Sequence, residues 1–266
     1  MRNLSNIGRI FYGVSIAEIG LQTIYYHDFP YMLLPPNHSA MPGIVVLAYV
    51  FGALFALAGA CIVFEKKTRP ASLLLGGVLL MIFCFYYVPY QFMNTSRFMH
   101  FAEWENAAKE LALASGAFVV AGLFSAKDEN FFTGFLGKLI PFGIILFAIT
   151  ILSFSIDHFV YGKDAAGYVP AWIPFRVFWI YFAGAALLAS AIGIILNIKR
   201  GLAATLLGAM IFTWFIILHV PYVINATGAD KADEATSAII ALAYCGIAFV
   251  IADGVKRPVK KKPVSR

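Results

Sequence analysis

Ten residues in this chain are of a type and in a place to do chemistry. Glu18 lies inside an apolar run, 6–26, with Gln22 one turn later on the same helical face. An ionisable group at that depth costs at least about 2.5–3.5 kcal/mol on insertion scales unless it faces protein or water. Glu18 is therefore expected to point into a helical bundle, toward a polar partner. His219 stands two residues before Pro221, and Tyr87 stands in the same relation to Pro89. Proline removes the bond to the carbonyl four residues back, here Ile217 and Phe85, so both side chains should border an opened turn. His27-Asp28 and Asp157-His158 end two apolar runs. Lys109, Glu110 and Arg176 sit where polar connections re-enter helices; Lys109 is placed to pair with Glu105 one turn earlier, and Arg176 to neutralise Asp157 or Glu110. Thus Glu18, Gln22, His27, Tyr87, Lys109, Glu110, Asp157, His158, Arg176 and His219 form the candidate ligand-binding set. Each also has a plain reading, as a hydrogen-bonded packing residue or an interfacial one.

The same residues exclude several chemistries. Adjacent His and Asp on a helix do not face each other, and a metal site needs three or four converging ligands. No His-x-x-x-His occurs, so no metal is expected. Cys61, Cys84 and Cys245 all lie in apolar runs without a Cys-x-x-Cys spacing, which makes them small hydrophobes. There is no bis-His spacing for haem and no nucleotide fingerprint. No catalytic residue is assigned, and no independent catalysis is expected.

These residues must be positioned by helices in a bilayer. The 266 residues are 61% hydrophobic and 13% charged, against about 25% charged in soluble domains. Eight apolar runs are expected to form helices near 6–26, 44–64, 71–93, 107–124, 138–160, 172–197, 201–224 and 235–253. The first should be a retained helix, for no small-residue cleavage site follows it. Placing both termini inside puts 15 of the 20 Lys and Arg on the inner face and leaves Arg97, Lys109, Lys163, Arg176 and Lys231 outside. The positive-inside rule then makes both termini cytoplasmic. The +6 charge sets topology; it does not mark nucleic-acid binding. The inner half reads as plain apart from its basic loops.

The chain also repeats itself. An offset of 132 residues lays Pro42 on Pro174, Tyr49 on Tyr181, Gly52 on Gly184, Gly76 on Gly208 and Val88-Pro89-Tyr90 on Val220-Pro221-Tyr222. At an offset of 130, Lys109-Glu110 falls on Ile239-Ile240. The expected architecture is an all-α membrane protein with eight transmembrane helices as two parallel four-helix repeats. The first repeat spans 1–125, a cytoplasmic linker 126–137, the second repeat 138–254 and a basic cytoplasmic tail 255–266.

Several of these segments form a recognisable pattern. Asp157-His158-Phe159, Tyr168 to Pro174, Gly184, Lys199 to Ala204 and His219-Val220-Pro221 resemble the DoxX-like four-helix membrane proteins. His27-Asp28-Phe29, Leu34-Pro35-Pro36, Gly52, Thr68 to Ala71 and Val88-Pro89 repeat that pattern, and Trp104 to Leu113 resembles the start of the family's fourth helix. The resemblance implies a tandem fusion of two units in a bacterial inner membrane. Some family members are linked to oxidoreductase complexes, including the small subunit of a thiosulfate:quinone oxidoreductase. The resemblance thus implies an accessory or binding subunit serving a soluble or membrane redox partner, with quinone as the possible cofactor.

All ten candidates belong to the outer half of the membrane. An outward-facing pocket for a quinone or lipid is the reading they carry, covered by Pro-rich pieces at 30–36 and 170–174 that fold back as lids. The alternatives are a small-molecule or proton-coupled transporter, which parallel repeats and Glu18 would suit, and a structural assembly partner in the bilayer.

Overall fold

The computed structural model describes residues 2–35, 41–94, 104–126, 130–228 and 230–253; the expected tail, 255–266, lies outside them. Every regular element among the described residues is helical. Long helices form where the apolar runs lie: α1 (Arg2–Tyr26), α2 (Ile44–Val63), α3, α4 (Glu105–Ala121), α5 (Ile140–Val160), α6 (Arg176–Ile195), α7 and α8 (Asp230–Asp253). Helix α3 runs Thr68–Ile82, widens into a π-turn at Phe83–Tyr87 and continues as Val88–Asn94. Helix α7 does the same, through Arg200–Trp214, Phe215–His219 and Val220–Asn225. Helix α6 begins four residues later than the sequence suggests, because Trp172 to Phe175 are still loop.

Among the described residues, six helices are long and apolar enough to cross a membrane: α2, α3, α5, α6, α7 and α8. Helix α1 carries Arg9 and Glu18, and α4 has 17 residues with Glu105, Lys109 and Glu110 among them. Helix α4 is shorter than those six, and α1 is long enough but less apolar.

The helices form a closed ring. Helix α1 packs on α2 and α8, α8 on α7, α7 on α6, α6 on α5, α5 on α4, α4 on α3, and α3 returns to α2. Helices α4 and α8 also meet each other, and from Ala112 to Ala121 every α4 residue is buried. The first helix of each half therefore packs on the fourth helix of the other. Small residues permit this closeness. A Cβ added at Gly20 or Gly59 would strike the partner backbone of the α1–α2 pair, and Gly8 and Gly246 bring α1 equally close to α8.

The helix ends expected on the inner side are not plain. Arg9 is buried and donates to the Ile62 carbonyl and, at 2.8 Å, to that of Val63, while pairing with Glu65 at 2.8 Å. Arg69 donates to the Ala121 and Phe124 carbonyls at 3.1 and 2.9 Å. These arginines cap helix C-termini, satisfying carbonyls that have no partner within the helix.

Backbone features recur 132 residues apart. Gly43 and Phe175, Glu65 and Asn197, and Lys67 and Lys199 all adopt positive φ, between 45° and 79°. Left-handed conformations cost non-glycine residues roughly 1–2 kcal/mol each, so the paired loops take one strained path twice. The π-turns also match: Val88 N–H donates to Phe83 and Val220 N–H to Phe215, five residues back. This corrects the expected register by one residue. The next donors in this pattern would be Pro89 and Pro221, which have no N–H, so Cys84 and Ile216, rather than Phe85 and Ile217, lose the helical donor.

Candidate functional site

Lys109 belongs to a polar cluster near the N-terminal end of α4, the C-terminal ends of α5 and α7 and the middle of α8. Its ammonium pairs with Glu105 at 2.6 Å, as the i,i+4 spacing suggests, and donates to Asn106 Oδ1 at 3.2 Å. It also lies 5.4 Å from the centroid of the Tyr31 ring, a cation–π contact. Lys109 acts electrostatically on Asp157 of α5 and on His219 in the α7 π-turn. Glu105 acts on Asp157, His158 and Tyr244. Lys109 thus reaches α5 and α7 electrostatically, and its partner Glu105 reaches α5 and α8.

Several of these groups lack protein partners. Asp157 Oδ1, His219 Nδ1 and the Tyr244 hydroxyl are buried atoms without a hydrogen bond. Tyr244 sits in an otherwise apolar stretch of α8, its ring against Phe147 and Phe154. Buried polar atoms are ordinarily bonded, so such atoms on Asp157 and His219, within electrostatic reach of Lys109, and on Tyr244, within that of Glu105, could take a polar guest. The group can donate from Lys109, His219 and Tyr244 and accept at Asp157.

The segment Phe29–Pro35 covers the cluster from outside. Phe29, Met32, Leu33 and Leu34 are buried in the core, and the Tyr31 hydroxyl pairs with Ser237 of α8 at 3.0 Å. The Tyr87 hydroxyl donates to the Tyr31 carbonyl. The expected lid at 30–36 is thus a seated plug over its described residues, with Pro36 outside them. At 170–174, Ile173 is buried while Trp172 is exposed.

The other sequence candidates are dispersed. Glu110 is fully buried and faces the α3 π-turn, where Tyr87 and Cys84 border it. Glu18 is half-buried, with Oε2 unpartnered. Gln22 holds α1 to α8, donating to the Ala232 carbonyl at 3.1 Å and accepting from Thr236 at 2.9 Å. His27 is exposed in a left-handed turn and pairs through Nδ1 with the Tyr49 hydroxyl at 2.8 Å. His158 points Nδ1 at the Phe154 carbonyl of its own helix, at 2.7 Å. Arg176 does not join Asp157; it lines an open groove of about 560 Å³ with Phe175 and Phe178 at the start of α6. Among the described residues no group of three or more His, Cys, Asp or Glu could hold a metal ion.

Sequence reasoning missed Tyr31, Tyr244 and Ser237. Tyr244 carried the one available signal, a hydroxyl in an apolar run. Tyr31 and Ser237 gave none, because only the fold brings the plug onto α8.

A family model described as a domain of unknown function, DUF8561, matches residues 147–251. The match is less than half of the chain and includes Asp157, His219 and Tyr244, though not Lys109. No curated protein and no solved structure matches the chain.

Proposed function

We propose that this protein binds the polar head of a lipophilic small molecule, a quinone or a lipid, in the Lys109 cluster, and serves a redox partner as a DoxX-like accessory subunit. The observation that carries the reading is the set of unpartnered atoms on Asp157 and His219, within electrostatic reach of Lys109, and on Tyr244, within that of Glu105. A quinone head presents two carbonyl acceptors, and Lys109, His219 and Tyr244 are donors. A quinol hydroxyl would find an acceptor in Asp157. The site lies in an apolar bundle, which suits a ligand that travels in the bilayer. The redox partner rests on the family resemblance.

The architecture proposed with it is eight spans in two parallel four-helix repeats, both ends cytoplasmic, in a bacterial inner membrane. The matched left-handed loops and π-turns support the duplication. Helix α1 is roughly 37 Å long at 1.5 Å per residue, and α4 roughly 25 Å. Burial of α4 from Ala112 to Ala121, and of Arg9 on α1, against neighbouring helices relieves both of the need to be apolar all round. Solvent extraction of the protein purified from its native membrane, followed by mass spectrometry, tests the reading. A quinone or a single lipid class should be present in stoichiometric amount and absent from Lys109→Met; an empty wild-type protein contradicts it.

A further inference from the structure

Glu110 follows Lys109 directly, but about 100° of helical turn carries its side chain away from the Lys109 face. It is 0% exposed, and neither carboxyl oxygen has a hydrogen-bond partner. An ionised carboxylate without water or donors is costly to bury. Tyr87, beside it in the α3 π-turn, has a hydroxyl to offer, but that hydroxyl already bonds the Tyr31 carbonyl. Tyr31 belongs to the Phe29–Pro35 plug, where Met32 and Leu33 are fully buried. Tyr87 thus holds the seated plug from a turn that packs against α4, within electrostatic reach of the Glu110 carboxyl. π-Turns are frequent at functional positions because they relax the helix locally.

We propose that Glu110 is a proton-binding site linked to the plug, protonated while the plug is seated and ionised when it lifts. In the seated form the Tyr87 hydroxyl holds Tyr31, and Glu110 keeps its proton. On lifting, the Tyr87–Tyr31 bond breaks, and water enters from the outer side. The Glu110 O–H bond then breaks, its proton leaves to that water, and the freed Tyr87 hydroxyl donates to the carboxylate. Each opening releases one proton.

The titratable groups on the elements around α4 include Arg69, Cys84, Tyr86, Tyr87 and Tyr90 on α3, Tyr31 on the plug, and Asp157 and His158 on α5. Tyr244 and Cys245 in the middle of α8, the acidic residues and Lys231 at its start, and Tyr12 on α1 join them, with Glu105 and Lys109 on α4 itself. Among them, Tyr87 combines a place beside Glu110 with a hydrogen bond to the plug. The site differs from the Lys109 cluster, so it stands whatever that cluster binds.

Amide hydrogen exchange of the plug in the full-length protein, reconstituted in nanodiscs, tests the linkage. Rates are taken from about pH 6 to about pH 9 and divided by the unstructured-peptide rate at each pH. With one proton released per opening, wild-type plug opening should rise with pH, by up to about tenfold per unit. Glu110→Gln should keep the plug protected with no such slope. The same slope in Glu110→Gln overturns the proposal, as does a flat wild-type profile. If Glu110→Gln does not fold, wild-type protein treated with dicyclohexylcarbodiimide replaces it. That reagent adds to a protonated carboxyl in an apolar site. An adduct at Glu110 that abolishes the slope is expected; no adduct at Glu110, or a slope that survives one, overturns the proposal.

Discussion

The outer ends of α3 and α7 share a backbone and differ in nearly everything packed around it. Both contain a π-turn followed by a proline. At α3 the turn presents Tyr87, 2% exposed, to a plug whose apolar residues fill the core. At α7 no residue of the turn is buried, and the preceding segment leaves Tyr168 and Trp172 exposed. Buried residues make up 39% of the apolar window of α3 and 17% of that of α7. The second half ties its segment differently: Tyr222 donates to the Tyr168 carbonyl at 3.0 Å, from an exposed position. One half has become the lid and its support, and the other supplies His219 with a nitrogen left unbonded. Two like backbone paths can thus be surrounded quite differently by side chains alone.

Substitutions in the two segments should break this comparison in a graded way. The largest difference is expected between Met32→Asp and Tyr168→Asp. Met32 is fully buried and Tyr168 is 67% exposed. A charge at Met32 should cost at least about 3 kcal/mol and lower the melting temperature or prevent folding, whereas Tyr168→Asp should stay within about 0.5 kcal/mol. Equal losses would show that the plug is no better seated than its counterpart.

A smaller difference separates the π-turn residues. Tyr87→Phe strands the Tyr31 carbonyl and should cost about 1–3 kcal/mol in chemical denaturation. His219→Phe removes no hydrogen bond of Nδ1 and should cost less than about 1 kcal/mol, while weakening ligand retention. The reverse order would contradict the division of roles. Glu105→Gln should have the smallest effect on stability, about 0–1 kcal/mol, because the Glu105 side chain in its pair with Lys109 is 49% exposed. A thermal shift assay that found Glu105→Gln as damaging as Tyr87→Phe would place the support in the wrong part of the molecule.

Much of the frame was legible in the sequence. Helix positions followed from apolar runs, and the Lys109–Glu105 pair from its spacing. The fold brings two further candidates, Asp157 and His219, within electrostatic reach of Lys109. Other features were hidden for physical reasons. Helix spacing assigns Glu110 to the turn beside Lys109, but not to the opposite neighbour, because that depends on ring order. Arg9 and Arg69 looked like topology residues, since the carbonyls they cap come from helices far along the chain. The π-turns shifted the freed carbonyls by one residue, and no local propensity marks such a turn. His27 and Arg176 were drawn into the candidate set by charge and placement alone; the structure gives one a tyrosine partner and the other a separate groove.

The central claim is that Lys109 and His219 hold one polar head between the halves. Its most direct test is titration of the protein in nanodiscs with a short-chain quinone, followed by quenching of intrinsic tryptophan fluorescence. Wild-type protein should show saturable quenching, and Lys109→Met and His219→Phe should each bind at least about tenfold more weakly, the loss of one charge-assisted or buried hydrogen bond. Non-saturable quenching in the wild type, or the same affinity in both variants, would contradict the account.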